Sequence, residues 1–305
     1  MVMVLCPSDD TDEASLGGGS MLGRLACGLS RTILAGLAAA SLFAADATAQ
    51  PESVGNAWVR VCADPNNLPF SNEKGEGFEN KLAELIASKL NMRVVYTWLP
   101  QAMGQITNLP GNGQCDILMG YAQGTGLVED TNPYYRTSYV LIYRQDDHSL
   151  AGLESLSDDR LKNKKIGIIA RTPPVSIMAM NGLMANTKPF EVNANRTSAS
   201  PAAAVIAAIA SGEIDAGILW GPLGGYYAQQ SKEPLALVSL VKETAGPATI
   251  YGITMGVRPN EPEWKHKLNK LIAENQGDIN AMLLAYDVPL LDEDGNLIKA
   301  PAADR

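Results

Sequence analysis

Histidine is nearly missing from this 305-residue chain, which holds only His148 and His266. The first lies in the polar segment Arg144–Ser149 and the second on the exposed part of a helical stretch, so neither suggests a catalytic base or a metal cluster. No GxSxG, HExxH or Walker A sequence occurs, and the pairs Gly111/Gly113 and Gly224/Gly225 do not form a dinucleotide fingerprint. The acidic run Leu291–Asn296 lacks the carboxylate spacing and closing glutamate of a calcium loop and reads as a solvated turn. We therefore expect no enzyme activity, no metal and no bound cofactor. Basic charge is also scarce. With 24 Lys and Arg against 33 Asp and Glu, the net charge is -9, which leaves no basic stripe to displace counterions from nucleic acid and disfavours anionic membrane surfaces. What is present is ordinary globular material, 46% hydrophobic, enough for one large core or two modest ones.

No apolar run is long enough to span a bilayer, which takes about 20 residues. The longest, Thr32–Ala45, follows Arg24 and Arg31 and precedes Ala47-Thr48-Ala49, the layout of a secretory signal peptide cut before Gln50. Residues 1–49 are accordingly expected to be removed. Met21 can open this leader by itself, so residues 1–20 read as an upstream extension. The expected location is the periplasm, without membrane insertion after cleavage. Removal takes away Cys6 and Cys27 and leaves Cys62 and Cys115, an even pair in an oxidising compartment. A Cys62–Cys115 disulfide is expected, with two buried thiols as the alternative.

From Trp58 onward, short apolar runs alternate with amphipathic stretches, the pattern of βαβ units in an α/β fold. Val59–Cys62, Arg93–Trp98 and Cys115–Gly120 read as strands. Gly77–Leu90 reads as a helix with Phe78, Leu82, Leu85, Ile86 and Leu90 on one face and charge on the other. Residues 101–113 should hold a further helix, although Pro110 interrupts it. A second alternation runs through Lys164–Ile169, a helix over Ala202–Ser211 and a strand over Asp215–Trp220. The β-rich run Ala248–Val257 and an amphipathic helix carrying Trp264, Leu268, Leu271 and Ile272 then return to the first unit. The expected organisation is one lobe from 57–144 plus 249–300 and a second from 145–248. Two chain crossings would form a hinge, and a ligand cleft would lie between the lobes.

The stretches VCADPNNLPFSNEKGEGFENKLAELIA, CDILMG, NPYYRTSYV and GEIDAGILWGP, behind an exported leader, resemble type II periplasmic solute-binding proteins over about Trp58–Tyr286. The first three also resemble the quinoprotein dehydrogenase-associated branch of that superfamily, encoded beside pyrroloquinoline quinone (PQQ) dependent methanol dehydrogenases. The resemblance implies a type II periplasmic binding protein fold, two α/β lobes joined by a two-crossing hinge around a cleft. It implies a soluble accessory protein that docks on such a dehydrogenase and assists its maturation or activation. The enzyme's cytochrome c partner is a further candidate. Amino-acid binders of this fold use an arginine after the strand matching Ile117–Gly120 and an aspartate at the position of Trp220. Here Tyr121–Asp130 contains no arginine, so a free amino acid is not the expected ligand. The alternative function is an ABC-importer receptor for a small uncharged or aromatic ligand. A third, resembling periplasmic dehydratases, needs a cleft acid with a raised pKa, for which the sequence offers no clear candidate.

The cleft is expected to involve Asp64, Asn66, Phe70, Trp98, Tyr121, Trp220 and Tyr226, with Tyr227 beside them. Aromatic rings there can stack a planar ligand or clasp a protein segment, or simply belong to the core. Asp64 has two readings, a ligand or partner contact and an Asx-turn residue ahead of Pro65.

Overall fold

The computed structural model describes residues 57–99, 114–124, 126, 128–191 and 200–299. The leader and the helix expected over 101–113 lie outside the described residues. The chain begins with β1 (Trp58–Ala63), the two-residue strands β2 (Asn66–Asn67) and β3 (Ser71–Asn72), α1 (Phe78–Lys89) and β4 (Arg93–Trp98). There follow β5 (Ile117–Ala122), the short β6 (Glu129–Asp130) and the long β7 (Tyr135–Arg144). The next group is β8 (Ile166–Ile169), α2 (Pro174–Met180), β9 (Thr187–Phe190), α3 (Pro201–Ala210) and β10 (Ala216–Trp220). The described chain ends with α4 (Gly221–Gln229), β11 (Leu235–Ser239), β12 (Ile250–Val257), α5 (Pro262–Glu274) and α6 (Gln276–Leu284).

One mixed sheet runs in the order β4-β1-β5-β12-β7-β10-β8-β9, with β11 added to β7 and β6 to β12. The β1–β4 and β1–β5 pairs are parallel, as βαβ connections require, whereas β12 returns antiparallel between β5 and β7. Strand β7 belongs to both halves: Tyr135–Ser138 pairs with β12, and Tyr139–Tyr143 pairs with β10. The polar segment 144–149 follows its end.

Each half has its own apolar filling. Phe78, Leu82 and Ile86 recur at four-residue spacing on α1 and pack with Val59, Val61, Ile117 and Met255 of the strands and Leu268 and Leu283 of α5 and α6. On one side of the other half, α3 lays Val205 and Ile209 against Val140 and Ile142. On its other side lie Leu141, Ile166, Ile218 and Leu153. One helical expectation needs correction: Glu79, assigned to the charged face of α1, is 2% exposed. It occupies the first turn on the side shared with Ala83 and Ile86, with its carboxyl against Gly120 of β5 and its amide bonded to the loop before the helix.

Cys62 and Cys115 are bonded, with Cα atoms 5.6 Å apart, and the bridge ties β1 to the entry of β5.

Candidate functional site

The loop after β1 is built from local hydrogen bonds. Asp64 is buried, and its Oδ1 accepts from Asn66 N at 2.9 Å, the Asx turn anticipated ahead of Pro65. Ser71 Oγ accepts from Asp64 N and donates to Asp64 O, while β2 and β3 pair to close the loop. A helix begins with amides that lack intrahelical partners. In α1 two of them are taken by this loop, Phe78 N donating to Pro69 O and Glu79 N to Phe70 O at 2.9 and 2.8 Å. The loop is thus docked on the helix through its backbone.

Opposite stands α4. Tyr227 Oη donates to Leu68 O at 3.3 Å, directly joining the second half to the loop. Tyr226 stacks on Tyr286 at 6.1 Å, and Tyr286 meets Phe78 at 5.7 Å, which in turn meets Phe70 at 5.3 Å. Phe70 and Tyr226 are therefore connected through two intervening rings. The helix comes this close because Gly225 carries no side chain: a Cβ there would run into the carbonyl oxygen of Asp287.

Where β7, β10 and β12 converge, Trp220 packs edge-on against Tyr139 at 5.1 Å and Tyr251 at 5.7 Å. Trp220 and Tyr139 are cross-strand partners, and both Trp220 and Tyr251 touch the core of each half. Burial pushes the phenols of Tyr139 and Tyr251 upward, so both stay neutral donors.

The remaining expected cleft residues are dispersed. Trp98 ends the edge strand β4 and stacks on Tyr96 at 4.5 Å; among the described residues neither ring enters the Tyr139–Trp220–Tyr251 group. Tyr121 is buried with Leu118 and Val128 around the disulfide, and Asn66 is exposed on the loop. Tyr139, Tyr251, Tyr286 and Glu79 were missed. The tyrosines sit in or beside runs whose period marks a strand or helix end, but the neighbours they meet come from distant segments. Among the described residues no group of three or more His, Cys, Asp or Glu could hold a metal ion. No helix among them is long and apolar enough to cross a membrane.

Glu79 supplies a buried acid that the sequence did not single out. Burial first, and then the charge of Asp64, push its carboxyl up to about 8. At 2% exposure it is closed to a substrate in this conformation.

The family model for bacterial extracellular solute-binding proteins, family 3, matches residues 59–283. Protein MoxJ of Paracoccus denitrificans is 27% identical over 261 residues, covering 81% of this chain and 94% of that protein. The crystal structure of periplasmic binding protein XoxJ from Methylobacterium extorquens AM1 superposes with a TM-score of 0.66 at 40% identity, covering 77% of this chain and 100% of that one. MxaJ from Methlophaga aminisulfidivorans MPT has the same fold, with a TM-score of 0.66 at 24% identity, covering 76% of this chain and 100% of that one. The fold and the branch implied by the sequence motifs agree with these relatives.

Proposed function

This chain belongs to the bacterial extracellular solute-binding proteins, family 3, and we propose that it is an exported periplasmic accessory protein that docks on a PQQ-dependent methanol dehydrogenase and assists its maturation or activation. The supporting observation is its near full-length similarity to MoxJ and XoxJ, combined with a cleft region lacking the arginine and aspartate of amino-acid receptors. Phe70, Trp220 and Tyr226 give that region aromatic surface suited to an apolar anchor of a partner, as in groove recognition of peptides. The residues proposed for this region are Asp64, Asn66, Phe70, Trp98, Tyr121, Trp220 and Tyr226, of which Asp64 and Tyr121 are buried in this conformation and Trp98 stands apart on the edge strand. Asp64, Asn66 and Phe70 lie on the loop after β1, whose Leu68 meets Tyr227 of α4; Tyr226 lies on α4 beside that tyrosine, and Trp220 lies at the strand convergence. The deciding experiment titrates residues 50–305 into apo and holo methanol dehydrogenase, following heat and recovered activity. Saturable binding that favours the apo enzyme and raises its activity supports the accessory role. No heat with either form removes it.

The Tyr139–Trp220–Tyr251 group favours a second reading, a receptor for a small uncharged or aromatic solute delivered to an ABC importer. A metabolite panel that raises the melting temperature with one such compound class supports it; a flat panel counts against it.

A further inference from the structure

We propose that Glu79 is a buried proton-binding site that ties the docking of the Asp64–Asn72 loop on α1 to pH, so that the loop holds best in acid and loosens as pH rises through neutrality. The geometry comes first. Glu79 lies in the first turn of α1 with its amide bonded to Phe70 O. Its Oε2 has no hydrogen-bond partner, and its Oε1 occupies the space where a Cβ at Gly120 would stand. Asp64 faces it from the end of β1, Tyr134 and Tyr135 from the entry to β7, and Tyr96 from β4. These neighbours bring hydroxyls and a like charge. Tyr134 Oη already accepts from the Gly120 amide at 3.2 Å.

An ionised carboxylate in this setting is desolvated, has an unbonded oxygen and is repelled by Asp64, so the neutral acid is the cheaper form. The positive end of α1 favours an anion, but its first amides are spent on the Pro69 and Phe70 carbonyls. If the loop lifts away, Glu79 meets water and regains an ordinary carboxyl affinity for protons. The docked state therefore binds a proton that the lifted state does not, over the interval from about 4.3 to the raised value of about 8. Docking is favoured least at the upper end of this interval and changes little above it. The loop also carries Leu68 O, the acceptor for Tyr227, so the contact between the halves follows the same proton. None of this depends on which partner or solute the cleft receives.

The test uses residues 50–305 labelled at the glutamate carboxyl carbons, with amide hydrogen exchange corrected for intrinsic rate. One glutamate resonance is expected to titrate near pH 8 and to be missing in Glu79→Gln. The Phe78 and Glu79 amides, which donate to the loop carbonyls, should lose protection by up to about tenfold per pH unit between about pH 5 and 8, while Glu79→Gln stays flat. If Glu79→Gln does not fold, Asp64→Asn provides a second arm. It removes the like charge and should move the resonance to lower pH. The proposal is overturned if every glutamate titrates below about pH 6, or if Glu79→Gln keeps the wild-type slope. An unmoved high-pH resonance in Asp64→Asn also overturns it.

Discussion

The phenol of Tyr227 reaches across 159 residues of sequence to donate to the backbone oxygen of Leu68. This hydrogen bond connects a helix of one half to the loop that follows the first strand of the other. Replacing Tyr227 with Phe keeps the ring against Tyr226 while deleting the donor. A typical net hydrogen bond contributes about 0.5–1.5 kcal/mol, so Tyr227→Phe should lower unfolding stability by about 1 kcal/mol. Urea titration with an unchanged slope checks this. A neutral substitution means that water replaces the bond at no cost.

Gly225 makes a sharper case because propensity and packing predict opposite signs. In an exposed helix, Gly→Ala is favourable by about 1 kcal/mol. Here the added methyl meets Asp287 O, part of the backbone, which cannot swing aside as a flexible side chain can. Gly225→Ala should therefore destabilise by about 1–3 kcal/mol and weaken the Tyr226–Tyr286 stack. A higher melting temperature in this variant contradicts the close approach of α4.

Much of the fold was legible because the strongest signals are local. The four-residue spacing of Phe78, Leu82 and Ile86 marks α1, and the short β-branched runs mark β1, β4 and β8. The short elements α2, β9, α4, β11 and α6 were not distinguished, since helix and strand periods are weak over so few residues. The site was less legible than the fold. Asp64 before Pro65 announces its own Asx turn. By contrast, Trp220 meets Tyr251 only because β7 brings β10 and β12 to one point, a relation between segments. Glu79 misleads for a different reason: four residues before Ala83 and seven before Ile86 it shares their buried side of α1, but a charged residue in a first helical turn reads as solvated, and only the approach of Gly120 of β5 shows where its carboxyl goes.

The disulfide joins positions 53 residues apart. Cross-linking a loop of that size restricts the unfolded chain by about 4 kcal/mol in the chain-entropy account. Both cysteines are buried, so small apolar replacements suit the site. Cys62→Ala with Cys115→Ala should cost about 2–4 kcal/mol while leaving the circular dichroism of the folded state unchanged. Denaturant melts of the oxidised protein and the double variant measure the difference; equal midpoints would show that the bridge does not restrict the unfolded ensemble.

Beside that bridge, Asp116 is gripped by two arginines. Arg60 donates from Nη2 to Oδ1 at 2.7 Å and from Nε to Oδ2 at 3.1 Å, and Arg258 Nη1 adds a contact to Oδ1 at 3.1 Å. Burial alone would raise the Asp116 pKa, but the Arg60 side-chain and backbone bonds, with Arg258, outweigh it and hold the group below its ordinary value. The carboxylate thus stabilises the fold above its unfolded pKa of about 3.9, and that contribution disappears as pH falls through the lowered native value. Hydrogen bonds to charged groups contribute about 1.5–3 kcal/mol. Arg60 is 38% exposed, so solvent screening reduces the share expected here to about 1–2 kcal/mol. Asp116→Asn should lose that amount near pH 7 and approach wild type near pH 2, as shown by paired melts across acid pH. A pH-independent gap would instead assign the loss to shape, because the charge that distinguishes the two side chains has vanished at the acid end.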